Sequence, residues 1–179
     1  MNKRVFSWCF GALSFLLLVM LCHPSHVSAA TYTWNGAGSD NNWSNCDNWG
    51  GTCPTSTDSV VFDSTSTKDT VIDADFGGTI ASIAINAGYT GELTAEEGII
   101  VTGTFSQAAG EVDFTDISGI DIGGAFTLSG GNFTASSQVM QFRNNFTQSG
   151  GVFVGNGGTT NFTFRNATFY CTSDTTFNL

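Results

Sequence analysis

Basic side chains are scarce in this 179-residue sequence, with 5 Lys and Arg against 15 Asp and Glu and a formal net charge of −10. Nothing here could neutralise a phosphate backbone or an anionic membrane surface, so neither nucleic acid nor acidic lipid suits it as a partner. Charged residues of either sign make up only 11%, and the helix formers Lys, Arg and Glu are correspondingly thin. Gly (22), Thr (24) and Asn (14) are abundant instead, and all three are poor helix residues. Disorder is excluded from the other side, because 41% hydrophobic residues with 16 Phe are too much apolar surface to leave solvated. The composition describes an acidic, β-rich, Gly-punctuated protein of one domain, long enough to bury a sizeable core.

Residues 1–30 read as a secretory signal peptide. Lys3 and Arg4 form a charged start, an apolar run follows from Phe10 to Leu21, and Pro24 precedes the small-residue end Val27-Ser28-Ala29-Ala30. Cleavage is expected after Ala29 or Ala30. The apolar run is well short of the roughly 20 residues that a membrane span requires. Cys22 does not suit a lipoprotein signal, because Leu21 stands where a small residue belongs. The expected mature chain is soluble and extracellular or held at the cell surface.

Removal of the leader takes both histidines, His23 and His26. The remaining bases are Lys68, Arg143 and Arg165, for a mature charge of about −12. Ser-His-Asp and Cys-His catalysis and His-ligated metals are excluded with the histidines. Cys46, Cys53 and Cys171 survive cleavage. In an oxidising compartment Cys46 and Cys53 are expected to form a disulfide around a small loop, and Cys171 is left over.

The second half repeats. Phe126-Thr127-Leu128-Ser129-Gly130-Gly131-Asn132-Phe133 returns as Phe146-Thr147-Gln148-Ser149-Gly150-Gly151-Val152-Phe153, the pattern F-T-x-S-G-G-x-F. With Ile83 as the earliest equivalent, the anchors Ile83, Phe105, Phe126, Phe146 and Phe169 recur at spacings of 22, 21, 20 and 23. Each period holds short alternating stretches: Val139-Met140-Gln141-Phe142, matched to Asn161-Phe162-Thr163-Phe164 and more weakly to Ile120-Asp121-Ile122 and Ile99-Ile100-Val101. Three short strands per period is too little chain for separate hairpins but suits one coil of a parallel β-helix. The predicted fold is all-β: a single-stranded solenoid of about five coils over residues 65–179, preceded by a Trp-rich capping block at 31–64. Stacked coils should place Phe126 over Phe146 and Phe169, Phe133 over Phe153 and Phe177, and Phe142 under Phe164. A β-sandwich is the alternative.

The block at 31–64 holds all three Trp that follow the leader: Trp34-Asn35-Gly36, Asn42-Trp43-Ser44 and Asp47-Asn48-Trp49-Gly50, then Pro54 and Asp58 before Val60-Val61-Phe62. Together with the Phe/Ser-Gly-Gly coils, this opening resembles secreted bacterial β-helix surface proteins of the adhesin-like and autotransporter-passenger-like kind. The resemblance implies export and a structural or adhesive role. Proteins of that kind carry many more coils, so the chain is expected to be the front of something longer. Further coils, or another copy, would then meet its carboxy-terminal edge.

Trp34, Trp43 and Trp49 have two readings. They cover the open end of the first coil, or they stack on sugars beside Asn and Asp. Asp69, Asp73 and Asp75, and Asp113, Asp116 and Asp121, have oxygen ligands of the kind calcium uses, but no complete binding-loop pattern; no metal or cofactor is expected. Asp113 with Asp116, or Arg143 with Arg165, could serve a polysaccharide lyase or hydrolase. However, Arg143 and Arg165 follow inward Phe residues and should point outward. Five N-x-S/T triplets, at Asn42, Asn132, Asn145, Asn161 and Asn166, follow from the Thr-rich composition. The expectation is a non-catalytic structural or adhesive module contacting a polysaccharide or a host or neighbour-cell surface. The alternatives are a carbohydrate-binding module using the Trp block and a polysaccharide-degrading enzyme.

Overall fold

The computed structural model describes residues 28–157 throughout and, beyond them, the strand backbones at 159–162, 169–171 and 176–178. The leader to residue 27, Phe164, Arg165 and Asn166 lie outside the described residues, as do the side chains of Asn161, Cys171 and Phe177. A short strand, β1 (Thr31–Thr33), lies beside the first full coil. That coil is β2 (Ser59–Phe62), β3 (Thr70–Ile72) and β4 (Thr79–Ile80). The second is β5 (Ser82–Ile85), β6 (Glu92–Ala95) and β7 (Ile99–Val101). The third is β8 (Phe105–Gln107), β9 (Glu111–Asp113) and β10 (Gly119–Ile122). The fourth is β11 (Phe126–Leu128), β12 (Asn132–Thr134) and β13 (Val139–Phe142). The fifth is β14 (Phe146–Gln148), β15 (Val152–Val154) and β16 (Thr159–Phe162), and β17 (Phe169–Cys171) and β18 (Thr176–Asn178) follow it.

Successive coils pair strand on strand, always in parallel. The first sheet runs β1-β2-β5-β8-β11-β14-β17, the second β3-β6-β9-β12-β15-β18 and the third β4-β7-β10-β13-β16. This is a three-faced parallel solenoid of about five turns; parallel pairing on every face removes the sandwich alternative.

Alternation within each strand decides what fills the interior. In the first sheet Val60, Ile83, Phe105, Phe126, Phe146 and Phe169 share one register column. Those from Val60 to Phe146 are at most 1% exposed. Adjacent rings stack, Phe105 on Phe126 at 5.5 Å and Phe126 on Phe146 at 4.9 Å between centroids. Phe133 stacks on Phe153 at 5.3 Å, edge-on to Phe126 at 5.2 Å. Such pairs add to the area that each ring buries.

Two expectations change in register. The anchor column starts one coil earlier than Ile83, at Val60, so β2 is the solenoid's first full strand although it lies inside the block at 31–64. A small Val in a Phe position hides it from a motif search. Phe142 meets Phe162 rather than Phe164. Six positions separate Phe153 from Thr159, as they separate Phe133 from Val139, so β16 enters in step. The longer path of this coil therefore falls after Phe162.

The S-G-G turn has a separate reason for each glycine. A Cβ on Gly130 would lie 2.4 Å from Ala108 O, and one on Gly150 2.3 Å from Ser129 O, so the backbone of the coil before excludes any side chain. Gly131 and Gly151 adopt φ of +78° and +67°, the left-handed region that glycine occupies without a Cβ penalty. Beside this turn the inward column carries Gln107 and Gln148, 1% and 0% exposed. Gln107 Nε2 donates to the carbonyls of Ala109, Gly110 and Asn132, which serves turn acceptors that the core would otherwise strand.

Candidate functional site

The amino-terminal block is an aromatic cluster seated on the first coil. β1 pairs with β2, and Asn42 bridges to Val71 of β3, so the block makes a partial turn along two of the three faces. Trp34, Trp43 and Trp49 are 0%, 0% and 5% exposed. All three rings lie about Phe62, at 6.1, 5.8 and 5.9 Å, and Trp34 and Trp43 each meet Trp49 edge-on, at 5.0 and 5.3 Å. Each indole N–H has an internal acceptor: Lys68 O for Trp34, Thr70 Oγ1 for Trp43 and Trp43 O for Trp49. Sugar stacking needs an exposed ring face, and these indoles have none. The binding expectation at Trp34, Trp43 and Trp49 is therefore corrected: their polar edges and both ring faces are taken up by the fold.

The connecting loop is pinned by two buried or half-buried groups. Asn48, 0% exposed, accepts from Gly38 N and donates to Asp40 O and Asn42 O. Lys68 Nζ donates to the carbonyls of Gly36, Gly38 and Asp40 at 3.2, 2.9 and 2.7 Å. The Cys46–Cys53 disulfide forms as expected, with Cys46 opening a short 3-10 turn that ends at Trp49.

The acids that suggested calcium or catalysis are engaged in local structure or stand exposed. Asp69 Oδ1 accepts from Glu92 N. Asp73, 5% exposed, holds Ser44 through both its N–H and its hydroxyl, while Asp75 stands exposed in a 3-10 turn. Asp113 Oδ1 accepts from Thr115 N and Oγ1, a local turn closure, and Asp116 is exposed. Asp121 is paired with Arg143. Among the described residues no three His, Cys, Asp or Glu gather to hold a metal.

The outward side of the third sheet carries the more distinctive surface. Ile100, Asp121 and Gln141 share one outward column, with Gly119 and Val139 in the next. Ile100 (48% exposed) and Val139 (46%) are the exposed large hydrophobic side chains among the described residues. They flank an open depression of about 340 Å³ floored by Gly98 and Gly119. At its rim Arg143 donates through Nε and Nη2 to Asp121 at 2.6 and 2.5 Å, and through Nη2 to Gln141 at 2.9 Å. The Asp121 hydrogen bonds and charge raise the Arg143 pKa further. Arg143 thus points outward as expected. Motif reasoning missed this patch, but the sequence carried a signal for it. Ile99-Ile100-Val101 and the phase of Val139-Met140-Gln141-Phe142 put apolar residues where alternation calls for polar ones.

The arrangement offers a filled interior and a contact surface. The outward ladder of the first face is neutral and polar, Ser106-Thr127-Thr147, whereas the second face interleaves acids, Thr94-Asp113-Thr134 beside Glu92-Glu111-Asn132. Among the described residues no helix is long and apolar enough to cross a membrane. In comparisons with protein-family models, curated proteins and solved structures, nothing matches the chain.

Proposed function

We propose that this chain is an exported structural or adhesive β-solenoid module of a bacterial surface or secreted protein, acting by contact rather than catalysis. The observation that carries the reading is the pairing of a close-packed Phe core with an outward ladder of stacked hydroxyls, Ser106-Thr127-Thr147, on the first face. Such a ladder presents regularly spaced hydroxyls at roughly 4.8 Å from coil to coil, suited to many weak contacts with a polysaccharide or a cell surface. The resemblance of the Trp/Asn opening and the Ser-Gly-Gly coils to adhesin-like and autotransporter-passenger-like proteins supports export and the surface role.

The test combines location with binding. Cells expressing the full chain are fractionated, and the purified exported protein is applied to cell-coated and polysaccharide-coated surfaces. Recovery outside the cytoplasm, with retention that requires the folded chain and no change in polymer length, is the expected result. Retention in the cytoplasm would sink the export reading. Polymer turnover abolished by Asp113→Asn or Asp116→Asn would make the protein an enzyme.

A further inference from the structure

The amino-terminal end of β1 is tied to a buried carboxylate. Asp58, 4% exposed, accepts from the backbone N of Ala30 at 2.7 Å through Oδ1. Its Oδ2 accepts from Thr55 N and Thr55 Oγ1 at 2.8 and 2.6 Å. The Ala30 carbonyl in turn accepts from Ser59 N at 2.8 Å, which carries the β1–β2 pairing back by one residue. Ser28 and Ala29, just before, are exposed. The two cations of residues 28–157 are occupied elsewhere, Lys68 by three carbonyls and Arg143 by Asp121. Asp58 is therefore an ionisable carboxylate buried among neutral donors, a setting in which one positive charge has a large effect.

The sequence leaves two bonds open to leader removal, after Ala29 and after Ala30, because small residues suit both. The structure separates them. A cut after Ala30 deletes the donor to Asp58 and the acceptor of Ser59 N together. A cut after Ala29 keeps both and turns the donor into a cation.

We propose that the leader is cut between Ala29 and Ala30, and that the α-ammonium released at Ala30 forms an ion pair with Asp58 that locks β1 onto the first coil. The step is a hydrolysis by a leader-processing endopeptidase. Water adds its hydroxyl to the Ala29 carbonyl carbon, the C–N bond breaks, and the Ala30 nitrogen keeps its hydrogen, gains one from water and takes a further proton from solvent. The neutral N–H donor to Asp58 becomes a charge-assisted one at the same position. Processing then strengthens the fold, since the uncut chain can offer Asp58 only an amide. The proposal rests on the export reading, and its test keeps the two apart.

The experiment uses the exported protein itself. Intact mass and amino-terminal sequencing are expected to find Ala30 first. A chain that begins at Thr31 or at any other residue, or one that keeps its leader, overturns the proposal and leaves export standing, since export is decided separately by the fractionation. The charge is tested by selective acetylation of the α-amine in the wild type and in Asp58→Asn, with denaturant unfolding of all four forms. Acetylation is expected to raise the unfolding equilibrium constant on the order of tenfold in the wild type and to have little effect in D58N. If D58N does not fold, the wild-type comparison decides alone: equal stability of the free and acetylated forms overturns the ion pair.

Discussion

At the scale of the residue, this fold depends on a few polar groups whose roles only their neighbours reveal. Lys68 is one: its ammonium satisfies three carbonyls of the loop at Gly36–Asp40. Lys68→Met keeps the stem and removes the donors. It should lower unfolding free energy by about 1–3 kcal/mol, read from the denaturant midpoint. Asp58 and Glu92 have opposite acid responses. Burial pushes the Asp58 carboxyl up, but hydrogen bonds from Thr55 and Ala30 outweigh it and leave the pKa below its usual value. The stability it contributes is present above about pH 4, the unfolded value, and is lost as pH falls through the lower folded one. Asp58→Asn should therefore flatten the acid limb of the stability profile. Glu92 is raised, first by burial and then by Glu111, Asp113 and Asp69. Its folded form holds the proton more tightly, so stability falls as pH rises from the unfolded value of about 4.3 through the raised folded one. Glu92→Gln should be more stable than the wild type at pH 7 and indistinguishable from it at pH 3; a destabilised variant at pH 7 would contradict this account. The acids and Lys68 were visible in the sequence as a count. Their partners were not, because Lys68 meets carbonyls some 30 residues away and Asp58 meets Ala30 across a gap of 28.

At the scale of the element, the repeat was legible because its motif residues are forced by contacts between coils. Phe126 touches Phe105, Phe146, Phe133, Phe142 and Phe153, so a change there removes a shared packing node. Phe126→Ala should destabilise by about 3–5 kcal/mol, measured by equilibrium unfolding. Gly150→Ala tests the turn by a different mechanism. Its backbone is not left-handed, yet the new methyl would press on Ser129 O at 2.3 Å, so the coils must separate there. Loss of amide-exchange protection is expected at β11 and β14, and unchanged protection would show that the approach is not required. Registers at β8, β11, β14 and β17 followed from spacing, since each interval of 20 to 23 residues between anchors fits a single coil. The Phe142–Phe162 pairing did not, because Phe162 and Phe164 both keep the alternation and sequence alone cannot choose between them. Gln107 was likewise missed: an inward glutamine reads as an outward one until the turn carbonyls it serves are seen.

At the scale of the whole molecule, a solenoid couples each coil mainly to its neighbours, so its ends are its weak points. The amino-terminal end carries three buried indoles, a lysine pin and the Cys46–Cys53 staple in a single partial turn. The paired substitution Cys46→Ser with Cys53→Ser should cost about 2.5 kcal/mol by loop closure. Because coils are nearly independent, exchange should quicken at Trp34–Trp49 more than at Phe126–Phe153, and a uniform loss would argue for full cooperativity. The sequence by itself determined the solenoid, its period, its inward Phe columns and the disulfide, since these rest on local alternation and on residues that recur at nearly equal intervals. Only the tertiary structure decided that Trp34, Trp43 and Trp49 are interior, that Ile100 and Val139 flank a depression beside the Asp121–Arg143 pair, and that Asp58 holds Ala30. Burial and pairing of that kind depend on which segments meet across coils, and no stretch of chain carries that information alone. The scarcity of basic residues acquires its meaning there too. Among the described residues Lys68 is held inside the fold and Arg143 is bound to Asp121, which leaves the surface acidic.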